Sequence, residues 1–371
     1  MRTIKRFVVG MTVLMSTGVL ASPFSPESLE QVIADWGEPI SLDVATLQSI
    51  DQQLQWVEQQ LEQAKRPGQS FRYELATQVL QTLSVAKIEK RTDRIRFWLA
   101  RAYVAQHQHE FEQARINLRY VLRESPQDVQ ARLMAARIEL VAGNLEQANT
   151  HCSDLLGSSD LLSASACLLE VRSYQQDVEA VYPALEKIIQ RAGLPSDNRR
   201  AWLEQMMADM AVRMEKYELA QSWLKLDNTQ HSVSYLSQWA EVQLLLGHPN
   251  RVLQTLGSLN VAEDNLDDVL VLKLALAERL VGEQSHWREQ MAERVALREA
   301  RNDWQHAAHL ARYYLDVASD NAKALHWAQI NITKSKELYD QELLARALAL
   351  ITECYEKLCR SSENLVAEDQ S

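Results

Sequence analysis

The residues able to do chemistry are few and scattered along this 371-residue chain. His306 and His309 stand three apart in a segment that reads as a helix, and two histidines on one helix face can begin a metal site, with His286 or His326 as distant helpers. The spacing supplies no third ligand, so neither a metal nor a cofactor is expected and the pair stays an incomplete candidate. His107, Gln108 and His109 fall in a turn before Phe111, where polar residues belong in any case, and His151 beside Cys152 is a chance neighbour. No Gly-rich phosphate loop, nucleophile elbow or His-Glu-x-x-His zinc signature occurs. Glu263, Asp264, Asp267 and Asp268 suit a helix entry, where negative charge meets the positive end of the dipole. Scattered carboxylates reveal nothing of whether they converge in space, as they do in a glycan-cleaving enzyme. The expectation is a protein that is not an enzyme, with glycan hydrolysis as the alternative.

Cysteine and tryptophan are the other reactive or recognition-prone types. Cys152 and Cys167 are assigned to helices whose faces touch, so the spacing permits a disulfide, while two buried thiols packed as small apolar groups remain the rival. Cys354 and Cys359 are five apart, about 140° around an ideal helix, and pair only if the helix ends between them. Trp98, Trp202, Trp239 and Trp327 fall within apolar stripes and read as core. Trp287 and Trp304, at the borders of a long helix, are the aromatics free to line a groove.

The elements that would position these residues follow from a rhythm. Ala102, Phe111, Ala114, Leu118 and Val121, moved forward by thirty-four residues, land on Ala136, Leu145, Ala148, Cys152 and Leu155. Three- and four-residue steps place each set on one helix face. Small Ala102 and Ala114 let two helices approach closely, and Pro126 and Gly143-Asn144 interrupt them. A helix pair of this kind leaves an apolar face wet until a neighbour stacks on it.

The series Trp98, Ala102, Phe111, Ala114, Pro126 resembles a tetratricopeptide repeat, and Ala136, Leu145 and Ala148 continue it, with Leu118 in the same stripe. The resemblance is good over 94–126 and weaker over 128–160, which lacks the Trp and the Pro. Met207-Ala208 with Tyr217, Ala220 and Leu224, Trp239-Ala240 with Leu253 and Leu256, and Ala311, Tyr314, Leu315, Ala324, Leu325, Ala328 and Asn331 fit degenerate copies. The last is similar to the closing repeat of exported bacterial tetratricopeptide proteins. The resemblance implies an all-α fold, an α-α superhelix, whose concave face takes a protein or peptide partner. The outward residues Arg94, Arg101, Gln108, Arg132 and Glu139 are the expected partner contacts, with Trp287 and Trp304 beside them. The implied role is an exported scaffold for protein–protein interaction in cell-envelope assembly or a secretion system. A polysaccharide-export component is the alternative.

The N-terminus bears on location. Met1-Arg2-Thr3-Ile4-Lys5-Arg6 is basic, the run from Phe7 to Ala21 is apolar, and Val19 and Ala21 are the small residues before a cut, so a secretory signal peptide of residues 1–21 is expected and a periplasmic or secreted protein with it. Cleavage removes Arg2, Lys5 and Arg6 and no acid, taking the formal charge from -11 to -14. So acidic a chain without a basic cluster is no partner for nucleic acid or an anionic membrane. The expected organisation is a helical hairpin cap within 22–93, opening with a helix capped by Ser41, then repeats over 94–192, a break at Gly193-Leu194-Pro195-Ser196, degenerate repeats over 196–360, and a polar, acidic, disordered tail over 361–371. Pro183 either starts a helix or bends one.

Overall fold

A computed structural model describes residues 47, 49–158, 160–227, 231–282 and 285–368, with side chains through Glu353. All lie in one compact unit, Thr46–Ser371. The expected signal peptide and the proposed Ser41 cap fall outside the described residues, as do the side chains of Cys354 and Cys359.

Among the described residues there are helices and no strand. They pair into hairpins: α1 (Ile50–Ala64) with α2 (Arg72–Thr82), α3 (Arg91–His107) with α4 (Phe111–Glu124), α5 (Val129–Val141) with α6 (Leu145–Asp154), and α7 (Leu161–Gln175) with α8 (Val178–Ala192). Then come α9 (Arg199–Arg213) with α10 (Tyr217–Trp223), α11 (Val233–Leu245) with α12 (Pro249–Gly257), α13 (Asp268–Val281) with α14 (His286–Ala300), α15 (Ala307–Asp316) with α16 (Asn321–Ile332), and a last helix α17 (Leu338–Glu368). Phe111 and Leu145 each open the second helix of their hairpin, as the thirty-four-residue offset requires. Ala102, Ala114, Leu118 and Val121 and their counterparts Ala136, Ala148, Cys152 and Leu155 are all buried, so the array is the tetratricopeptide-like α-α superhelix that the rhythm predicts.

Local chemistry sets the ends. Ser49 and Gln52 form a reciprocal capping box, so α1 starts at Ile50. Asp128, Asp160, Asp177, Ser232 and Asp320 accept backbone N–H bonds at other helix starts. Pro183 sits inside α8, which runs through it from Val178. The acidic stretch read as a tail is helical to Glu368, because 338–368 contains neither Gly nor Pro and is rich in Leu, Ala and Glu. Cys152 and Cys167 are joined by a disulfide across α6 and α7, at a Cα separation of 5.4 Å. A single buried cluster holds Tyr182, Leu185 and Ile189 before Gly193 and Leu203, Met206 and Met207 after it, so packing runs on through the expected break.

The hairpins do more than stack on their neighbours. The turn between α1 and α2 meets the segments on either side of α11 and α12: Val233 N–H donates to Lys65 O at 2.8 Å, and Gly68 N–H to Asp267 Oδ2 at 2.8 Å. The α3–α4 turn brings His109 to 6.2 Å from His306, ring to ring, before α15. Beyond the α5–α6 turn, Lys336 N–H donates to Val141 O at 2.7 Å and Arg137 pairs with Glu337 at 2.6 Å. Three successive turns thus rest on three successive later connections, forming a continuous seam within the unit.

The tightest point of that seam is Gly68. Its φ is +72°, and a Cβ there would stand 2.4 Å from Val261 Cγ1. Gly68→Ala is therefore expected to lower the thermal midpoint, with a loss of about 1–3 kcal/mol for the strained backbone and the displaced contact. Calorimetric unfolding of the two proteins checks it, and equal midpoints would contradict a closed seam.

Candidate functional site

In the first helix of five hairpins a small residue is buried, and the next residue lies about 100° further round. Ala102, Ala136, Ala208, Ala240 and Ala311 are each buried at 2% exposure or less. The residues following them are Tyr103, Arg137, Asp209, Glu241 and Arg312. Glu170 of α7 and Lys273 of α13 join this set through their contacts. One repeated place in the hairpin therefore lines an inner wall with charge.

The wall has two networks. In the first, Arg137 reaches Glu170 at 3.7 Å and Glu337 at 2.6 Å, Arg213 pairs with Asp209 at 2.9 Å, and the Arg213 guanidinium lies 4.4 Å from the Tyr174 ring. Three carboxylates share two guanidiniums. In the second, Glu241 takes Lys273 at 2.5 Å and Arg312 at 3.1 Å, while Asp316 pairs with Arg312 and Arg346, and Arg312 reaches the Tyr339 hydroxyl. Here two carboxylates face three cations.

That imbalance governs the ionisation. Burial pushes the Glu170 carboxyl up to about 7, Asp209 and Glu337 add repulsion, and Arg137 and Arg213 only partly offset them. Burial also raises Glu337. Glu241 is buried as well, yet Lys273 and Arg312 beside it hold it down at about 2. Burial lowers Lys273 despite Glu241. The Arg137 side chain keeps 42% of its surface exposed although its own ionisation responds to groups on α7, α9 and the 333–337 connection, and Asp209 keeps 45%. The wall is a solvent-reached concavity, with Glu170 on its floor making no hydrogen bond to a described residue.

The residues singled out from sequence fare unevenly. Glu139 is 8% exposed and bound by Arg115 at 2.7 Å and Asn144 at 2.8 Å, so it braces the α4–α5 junction. Arg132 is tied to Pro126 O, His151 and Asp154, and Arg94 to Glu124 and the Glu89 carbonyl. Arg101 lies over the Phe97 and Trp98 rings, and Gln108 caps the C-terminal end of α3. Trp287 packs partly against the core, and Trp304 is 37% exposed beneath Lys334. Among the described residues no group of three or more His, Cys, Asp or Glu is placed to hold a metal ion. His306 instead meets Asp303 at 3.1 Å and Arg298 at 2.8 Å, and burial drives His309 down to about 3. The wall residues were missed, although the signal was adjacent: the residue after each small Ala of the repeat.

No family model matches the chain, and no curated protein compared with it does. Among solved structures it is similar to the crystal structure of the P58(IPK) TPR domain, at 14% identity and a TM-score of 0.27, over 82% of this chain and 99% of that one. So low a score carries no argument, and the hairpin architecture stands on the helix order, turns and buried positions given above.

The Glu170 carboxyl yields a pH prediction. Its folded pKa of about 7 lies above the ordinary 4.5, so its contribution to stability is fully present below about 4.5 and is lost as pH rises through 7. Glu170→Gln is expected to raise the thermal midpoint at pH 8 and leave it unchanged at pH 4. A midpoint lowered at pH 8 would show the carboxylate to be satisfied.

Proposed function

We propose that the chain is an exported scaffold of the periplasm that holds an extended segment of a partner protein against its inner wall, in envelope assembly or a secretion system. The supporting observation is the recurrence of charged side chains at one place in several hairpins, Arg137, Asp209, Glu241 and Arg312, with Glu170 joined to them through Arg137. Such a row reads an extended polypeptide by the order of its charges, with the unbalanced carboxylates of the first network facing a lysine or arginine of the partner. The Met1–Ala21 pattern and the Cys152–Cys167 disulfide both suit an oxidising compartment outside the cytoplasm. No helix among the described residues is long and apolar enough to cross a membrane.

A second reading has one observation behind it. Glu170, raised to about 7 by burial with Asp209 and Glu337 adding to the rise, is the kind of protonated carboxyl that glycan hydrolysis uses as its acid. Polysaccharide turnover by the native protein that disappears in Glu170→Gln selects this reading, and an inert native protein dismisses it.

For the scaffold, the mature protein and an Asp209→Lys variant with the same circular dichroism are used to capture proteins from envelope extract. The expected result is a set of proteins retained by the first and reduced at least tenfold with the second. Retention that ignores the charge reversal, or none at all, defeats the inner-wall reading. An exported chain that still starts at Met1 defeats the cleaved leader.

A further inference from the structure

Away from the inner wall, the seam forms an open cleft of about 730 Å³ between the α1–α2 turn, the residues flanking the start of α11 and the end of α12 with the connection that follows it. This size falls in the range of roughly 300–1,000 Å³ that small-molecule sites occupy. Its walls are set by contacts already described, Val233 to Lys65 on one side and Gly68 to Asp267 on the other, so the cavity exists only where two turns of the superhelix meet.

What distinguishes it is the chemistry left unused. Gln63, Arg66, Asn260 and Asn265 all line the cavity, and none makes a side-chain hydrogen bond or ion pair with a described residue. Three amides offer donors and acceptors together, the pattern that satisfies adjacent hydroxyls. The Arg66 guanidinium offers a fixed fork of donors that matches a carboxylate. Among the lining residues Asp227 is the one acid, and it lies 3.4 Å from His231. A peptide would ask for a strand edge for its backbone or a deep apolar hole for its side chains; the described residues contain no strand, and these polar groups converge on a compact volume from three segments.

We propose that this seam cavity binds a hydroxyl-rich ligand carrying a carboxylate, a short oligosaccharide containing uronic acid, with Arg66 on the carboxylate and Gln63, Asn260 and Asn265 on the hydroxyls. The inference does not rest on the scaffold reading, since the cavity and the inner wall share no residue named for either. A ligand seated there bridges α1–α2 to the α11–α13 region, so binding stabilises the folded unit in proportion to occupancy.

The test is calorimetric titration of the full mature protein with digalacturonate and with its dimethyl ester, in parallel with Arg66→Ala and Gln63→Ala variants of unchanged circular dichroism. The expected result is binding of digalacturonate at least tenfold tighter than of the ester, a preference abolished in Arg66→Ala, weaker binding of both sugars in Gln63→Ala, and a higher thermal midpoint with ligand. Absence of binding by either sugar at millimolar concentration overturns the proposal. So does equal binding of acid and ester, binding indifferent to both substitutions, or inorganic phosphate binding as tightly as digalacturonate, which would mark an anion site.

Discussion

The contact between the α1–α2 turn and the 261–267 segment is the constraint on which the rest of this unit depends. A hairpin array needs only neighbour-to-neighbour burial to exist, and such an array is free to curve gently or tightly. Here the curvature is fixed, because Gly68 must come close enough to Val261 to exclude a methyl group and to give its N–H to Asp267. Once that contact is made, the next two turns fall onto the next two connections, bringing His109 to His306 and Val141 to Lys336. The inner wall is crowded for the same reason: Glu337 reaches Arg137 only because the later connection lies across the α5–α6 turn.

The two charge networks follow from that crowding. In a wider coil each first-helix carboxylate would face water and titrate as usual. In this one Glu170 is surrounded by groups from α5, α9 and the 333–337 connection, and burial, with repulsion from Asp209 and Glu337, raises it despite Arg137 and Arg213. Across the wall the balance is reversed, and Glu241 is pinned as an anion by Lys273 and Arg312. Two buried carboxylates on first helices two hairpins apart are thus driven in opposite directions by their neighbours.

Much of the fold was legible because it is local. The thirty-four-residue return of Ala, Phe or Leu, Ala and Leu states the helix pair, its close approach and its length, and the structure puts Phe111 and Leu145 in equivalent places. The Cys152 and Cys167 pairing was legible as an opportunity, since touching faces were implied, and the choice between bond and thiols needed coordinates. Boundaries were harder. The start of α1 rests on the reciprocal Ser49–Gln52 box, which an apolar stripe alone does not announce. Of the site little could be read. Arg94, Arg132 and Glu139 are outward on their own helices, yet each finds a partner on a neighbouring element, which no periodicity reveals. The seam joins Gly68 to Asp267 across 199 residues, and nothing in either residue announces the other.

That seam also changes what repetition means for this molecule. Ordinary solenoids gain and lose units easily, because each module answers only to those beside it. Here the spacing between a turn and its distant seat is counted in whole hairpins, so a duplicated or deleted unit anywhere between Gly68 and Asp267 would leave the two out of step. The number of modules in that span is locked, and such a chain diversifies by exchanging side chains on its inner surface while its length stays the same.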